Sequence, residues 1–428
     1  MKRYSEYKDS GVKWIGEIPE HWKCTRIKFI ANLYGRIGFR GYNSKDLNKD
    51  GIGAITLSPS NMKDMMMDYT NVTYLSWEKY NESPEIMIQQ GDILFVKTGS
   101  SYGKSCYVDN LPQEATINPQ ILRINPLING RFLCYYFNSS LARTFTECGV
   151  VGGTIPTISQ EKVGNFIALN PPLSEQQAIV TYLDTKVAKI DEYISIAEKK
   201  ISALEELKQT IIAEAVTRGI HKDVPMKDSG VKWIGMIPEH WKVHKIRSHF
   251  KERRVKVSDK DFQALSVAKI GIVPQLEDAC KTDNGDNRKQ VLKGDFVVNS
   301  RSDRKGSCGI SPLDGSVSLI NIVLRPFNIL QEYVHYLFRS HNYIEEFYRN
   351  GRGIVADLWT TRYSEMRNIQ IPVPPLSEQQ EIVTYIEAKV ANINQLCQAE
   401  RSQIEKLKEY KQRLISDVVT GKVKVTND

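Results

Sequence analysis

Two stretches of the chain place an apolar residue at alternating steps of four and three. In the first the positions are Leu183, Val187, Ile190, Ile194, Ala197, Ile201, Leu204, Ile211 and Ala215, with Lys208 breaking the seam. In the second they are Ile386, Val390, Ile393, Cys397, Ile404, Leu407, Leu414 and Val418, with Glu400 and Lys411 as breaks. A 3.5-residue period predicts coiled-coil helices. Each stretch follows PPLSEQQ, at Pro171 and again at Pro374. The prolines end the preceding segment, and Ser174 with Gln177, like Ser377 with Gln380, has the spacing of a capping box. Gly219 and Gly421 are the expected stops. The first helix then runs from about Ser174 to Arg218, roughly 65 Å long. One apolar stripe of that length needs a partner, and each helix is the natural antiparallel partner of the other.

Residues of about 24–170 and 243–373 show a different pattern. Short β-like runs occur at 93–97 (ILFVK), 106–109 (CYVD), 121–125 (ILRIN), 296–300 (FVVNS) and 321–325 (NIVLR), and helical stretches near 130–146 and 331–349. They predict α/β (α+β) units with a twisted sheet and long polar loops.

The two halves are related. KDSGVKWIG occurs at 8–16 and 227–235, IPEHWK at 18–23 and 237–242, and PPLSEQQ with its following helix also occurs twice. Between these landmarks only fragments align, such as GDILF at 91–95 with GDFVV at 294–298, and ILRINP at 121–126 with IVLRPF at 322–327. A near-identical frame thus carries two divergent units, which points to a shared structural task and two different specificities. The second copy runs out at the point in the cycle where the first begins, so a closed, circular, pseudo-twofold arrangement is expected; a tandem duplication strung like beads is the alternative. The expected domains are 1–170, 171–220 (central helix), 221–373 and 374–428 (C-terminal helix).

The formal net charge of +8 suits a polyanionic partner without requiring one. The N-terminus lacks the apolar region of a signal peptide, no apolar run reaches membrane-spanning length, and the seven cysteines form no CxxC pair. Reduced thiols and a cytoplasmic location are expected.

Candidate DNA-contacting residues are long donors on loops after strands, where base edges and phosphates can be reached. In the first unit these are Lys97, Ser100, Ser101, Tyr102 and Lys104, with Arg36 and Arg40 in a glycine-rich stretch. In the second they are Arg301, Arg304 and Lys305, with Arg253, Arg254, Arg288, Lys289, Arg352 and Arg362. GVVGG at 149–153 would allow close backbone approach or serve as a connection. Three other motifs carry less. Asn170-Pro171-Pro172-Leu173 approaches the NPP[YF] tetrapeptide of amino-methyltransferases but ends in leucine, and helix entry explains it. Gly99 to Ser105 is one residue short of a P-loop. His240, His244 and His249 have no metal-site spacing. Trp22 and Trp241 are expected to pin the frame to each unit.

The duplicated PPLSEQQ at the head of heptad helices, the duplicated GVKWIGxIPEHW ahead of divergent units, and GDILF inside a unit together resemble the specificity subunit of type I restriction-modification systems, over essentially the whole chain. The resemblance implies two target-recognition domains, each reading half of a bipartite DNA site, joined by two long antiparallel coiled-coil helices that set the gap. It implies a non-catalytic subunit that docks two modification (methyltransferase) subunits, and restriction subunits in the full complex. S-adenosylmethionine and ATP would be used by those partners, with no cofactor here. Two readings compete: a methyltransferase or fused restriction enzyme, which would need a cofactor loop or a nuclease carboxylate–lysine cluster that the sequence does not show, and a coiled-coil scaffold with protein-binding heads.

Overall fold

The structure, a computed structural model, describes residues 3–38, 41–48, 50–150, 155–275, 285–353 and 359–426. The chain divides into two units, one formed by Met1–Ala197 with Ser402–Asp428 and the other by Glu198–Arg401. Each therefore holds one divergent region and a part of both long helices.

The helices run over Leu173–Arg218 and Leu376–Val419. The predicted seam is the buried side: in the first unit Leu183, Val187 and Ile190 share a core with Leu414 and Val418, and in the second Ala215 shares one with Ile386. The polar breaks in the seam are answered by the opposite helix. Lys411 meets Asp191 at 2.6 Å in the first unit. In the second, Glu400 meets Lys200 and Lys208 reaches Asn394 Oδ1 at 3.3 Å. The second unit's partners ascend one helix as they descend the other, as antiparallel packing requires.

PPLSEQQ does something other than form a capping box. Both helices start one residue before the serine, so Ser174 and Ser377 lie inside the first turn, and Gln177 accepts from Asn129 Nδ2 at 3.0 Å. The motif works through its next two residues. Gln176 accepts the Asn129 amide at 3.0 Å and donates to Pro171 O at 2.9 Å; Gln379 accepts the Leu330 amide and donates to Pro374 O, both at 2.8 Å. Glu175 accepts from Trp22 Nε1 at 3.0 Å and from the Tyr4 hydroxyl, with His21 Nε2 at 2.8 Å. Glu378 has His240 Nε2 at 2.7 Å. The duplicated PEHW and PPLSEQQ segments are thus two sides of one joint, and Trp22 and Trp241 are fully buried in it. The same joint is closed by pairing of Lys23–Arg26 with Ile167–Asn170, and of Lys242–Lys245 with Gln370–Val373.

Each divergent region centres on a four-stranded antiparallel sheet. Its order in the first unit is Ser105–Tyr107, Ile93–Val96, Ile121–Pro126, Ala31–Gly35, and in the second Phe250–Glu252, Asn321–Pro326, Phe296–Asn299, Cys308–Ile310. The ILFV strand is apolar throughout because the sheet is covered on both faces. Ile93 and Phe95 face the core containing helix Gly130–Phe137. Leu94 and Val96 face Ile55, Leu57 and Ile117 of a second sheet. Phe296, Val297 and Val298 alternate in the same way.

Candidate nucleic-acid interface

The loop candidates fall into two groups. In the first unit the segment Lys97–Lys104 is a tight turn between two strands of the main sheet, with the Tyr102 amide on Gly99 O at 3.1 Å. Gly99 and Gly103 have φ of +104° and +83°, the left-handed region that glycine enters freely. Ser100 is exposed, and Ser101, Tyr102 and Lys104 are half-buried. The lysine and serine lead into strand Ser105–Tyr107 rather than a helix, so no helix N-terminus is there to hold a phosphate as a P-loop would. Lys97 is half-buried, and loss of solvent lowers its pKa. Its amine lies over the backbone of Gly35, where a Cβ would be 3.4 Å from it and 3.2 Å from Gln160 Oε1.

In the second unit the candidates converge. Arg301 and Arg352 both form antiparallel bridges to Thr360, one from each side. Arg362 is two residues further on, at the N-terminus of helix Tyr363–Met366. Arg301, Arg304, Lys305, Arg352 and Arg362 are all exposed. Acidic neighbours pair with three of them: Arg301 with Asp303 at 2.9 Å and Lys305 with Glu345 at 3.0 Å on the surface, and Arg352 with the half-buried Glu365 at 3.8 Å. Such pairs hold a side chain weakly.

Four further candidates serve the fold. Arg36 is buried and donates to Ile117 O at 3.2 Å and Thr116 Oγ1 at 3.0 Å. Arg288 is buried and donates to Ser316 Oγ at 2.9 Å and Ser316 O at 3.1 Å. Burial lowers the pKa of both. Arg253 forms a two-pronged pair with Asp295, at 2.6 and 3.0 Å, whose hydrogen bonding raises its pKa. Lys289 donates to Asn321 O at 2.7 Å. Arg254 is exposed and bonded to Glu252 at 2.6 Å. Arg40 and the 151–153 portion of the glycine run lie outside the described residues. Asn170 receives Gln176 Nε2 at 2.9 Å, in keeping with helix entry. Among the described residues no group of three or more His, Cys, Asp or Glu could hold a metal ion, and no helix is long and apolar enough to cross a membrane.

The charge-based reading of the sequence passed over Thr98, Thr157, Trp359 and Thr360, which organise these loops. The available signal was register: the spacing that relates the two PPLSEQQ copies also relates Thr157 to Thr360 and Thr98 to Arg301.

Comparison with known proteins matches this architecture. The profile of the type I restriction modification DNA specificity domain fits residues 19–206 and again 240–406. The putative type I restriction enzyme MjaX specificity subunit of Methanocaldococcus jannaschii is 25% identical over 443 residues, covering 98% of each chain. A chain solved in work on complex assembly and conformational transition of the type I R-M system superposes with a TM-score of 0.66 at 15% identity, over 95% of this chain and 99% of that one. The HsdS subunit from Thermoanaerobacter tengcongensis superposes with a TM-score of 0.51 at 16% identity, over 95% and 98%. At these identities the two superpositions speak to the fold.

Proposed function

This chain belongs to the type I restriction modification DNA specificity family, and on that premise we propose that its two units read the two halves of one split DNA sequence. It is a specificity subunit and not the catalyst. The observation that carries the split is the double match, one in each divergent region and its following helix, on two units with equivalent joints and dissimilar exposed loops. The first unit would contact DNA through Lys97, Ser100, Ser101, Tyr102 and Lys104. The second would do so through Arg254, Arg301, Arg304, Lys305, Arg352 and Arg362. Arg36, Arg253, Arg288 and Lys289 would act indirectly, by holding the strands beneath.

In this reading domains 1–170 and 221–373 are the target-recognition domains, and segments 171–220 and 374–428 are spacers. Two methyltransferase subunits dock on the chain, and restriction subunits join them in the full complex. S-adenosylmethionine and ATP are bound by those partners, and the assembly works in the cytoplasm. Co-expression with the neighbouring modification subunit, followed by genome-wide mapping of methylated adenines, tests it. Two short sequences around a fixed gap are expected. A continuous motif would overturn the two-unit reading, and no methylation with an active partner would favour a protein-binding scaffold.

A further inference from the structure

The two units share one backbone device that carries different side chains. In the first, the Ile158 amide donates to Lys97 O at 2.9 Å and the Gly99 amide to Pro156 O at 3.1 Å, on either side of the Thr98 to Thr157 bridge. In the second, the Thr361 amide donates to Ser300 O at 3.0 Å and the Ser302 amide to Trp359 O at 3.0 Å, on either side of the Arg301 to Thr360 bridge. All four hydrogen bonds use main-chain atoms only. The inward residues, Ile158 and Thr361, are fully buried, while Thr98, Thr157, Arg301 and Thr360 face outward and are at least partly exposed. A side chain on the outer face can therefore change without moving the backbone. Equivalent positions on this device carry unlike residues: Thr98 against Arg301, Pro156 against Trp359, Ser159 against Arg362.

We infer that this bridged strand pair is the specificity-determining mount of each unit, and that in the second unit Arg301 and Arg352 read guanines; the inference rests on the split-site reading above. A guanidinium fork matches guanine O6 and N7 in the major groove. Arg352 bridges Thr360 from the other side, with main-chain bonds of 3.2 and 3.1 Å. The two arginines therefore stand two strand spacings apart, about 10 Å, or roughly three base steps at about 3.4 Å each. They reach separate base pairs of one half-site. Both arginines and Asp303 are exposed, and the half-buried Glu365 is 3.8 Å from Arg352, so exchanging these partners for DNA costs little. The first unit holds Thr98 at the position of Arg301 and has no fork there.

The test maps methylated sites for the full chain with its modification subunit, as wild type and as Arg301→Ala, Arg301→Lys, Arg352→Ala and Thr98→Arg. Arg301→Ala and Arg352→Ala are each expected to relax one G·C position in one half by roughly 10- to 100-fold, with the other half unchanged. Arg301→Lys keeps the charge and loses the fork, so it relaxes the same position while leaving the salt dependence of binding as it was. Thr98→Arg alters the other half only. A uniform loss at every position with a shallower salt slope would assign these arginines to phosphates and overturn the inference. Unchanged halves in all four variants would do the same while leaving the split-site reading intact. A wild type without a split motif would remove the premise instead.

Discussion

The aspartate of the GD pair was legible only as part of an aligned fragment, yet it is a hub of each unit. Asp92 is fully buried and pairs with Arg123 at 2.6 Å, and it also receives the Gln89 amide and Asn125 Nδ2. Asp295 receives the Leu292 amide and pairs with Arg253. In the first unit the arginine lies on strand Ile121–Pro126; in the second it directly follows strand Phe250–Glu252, where the run KERRVK placed it with Arg254 among the expected DNA contacts. Removing one partner of a buried pair strands the other. Asp92→Ala is expected to destabilise the first unit by roughly 3–5 kcal/mol, and Asp295→Ala to cost less because Arg253 keeps some solvent. Hydrogen exchange in strands Ile93–Val96 and Phe296–Asn299 measures each separately. Equal protection in variant and wild type would contradict the hub. A second residue sets a pH dependence. His335, on helix Gln331–Arg339, has its pKa lowered to about 4 by burial, with the Arg339 guanidinium adding to the effect. Its folded pKa lies below its ordinary value, so the unfolded chain takes up the proton first. Its contribution is complete above about pH 6.5 and is lost as pH falls towards 4, by on the order of 3 kcal/mol at most. The difference between wild type and His335→Gln in a pH series of urea unfolding isolates this term, and a constant difference across that window would refute it.

At the scale of elements, the long helices and their stops were read correctly because a heptad seam is a repeated signal. Polar residues within the seam, Lys208, Glu400 and Lys411, read as interruptions in the sequence because their partners lie on a helix some 200 residues away. The capping-box reading failed for a similar reason: local spacing suggested a local bond, but Gln176, Gln177 and Glu175 bond to segments distant in the chain. The helix ends show how closely the joint is fitted. Gly219 and Gly421 have φ of +75° and +73°. A Cβ on Gly421 would be 2.5 Å from Pro19 Cδ, and one on Gly219 would be 3.2 Å from the Trp241 ring. Gly421→Ala combines left-handed strain with a clash against a ring and is expected to cost roughly 2–4 kcal/mol. Gly219→Ala meets only a tight contact and is expected to cost roughly 1–2 kcal/mol. Urea unfolding of the two variants ranks them, and an equal or reversed order would show that the joint at Pro19 yields more easily than this geometry implies.

At the scale of the whole molecule, the duplicated frame led to the expectation of a closed cycle, and within the first unit the segment after Ser402 does pack with the first residues. The Tyr7 hydroxyl donates to Gly421 O at 3.1 Å, and Val418 shares a core with Tyr4 and Trp22. What the sequence could not supply was the register inside the divergent regions, where the strands are short and the loops carry most of the charge. The division of each long helix between the units leads to a prediction about length. Seven residues inserted after Ala197 and after Arg401, in heptad phase, add about 10 Å to each helix. Each unit retains its own helix segments, with Lys411 still facing Asp191 and Lys208 still facing Asn394, so folding of either unit is expected to be unaffected. The methylated motif is expected to keep both halves and to gain roughly three base pairs of gap, at about 3.4 Å per step. Insertion after Ala197 alone lengthens one helix against the other and is expected to abolish methylation while leaving hydrogen exchange within each divergent region unchanged. If the doubly lengthened chain methylates at the original gap, the helices do not set the spacing, and the distance between half-sites must be fixed by contacts to the methyltransferase subunits instead.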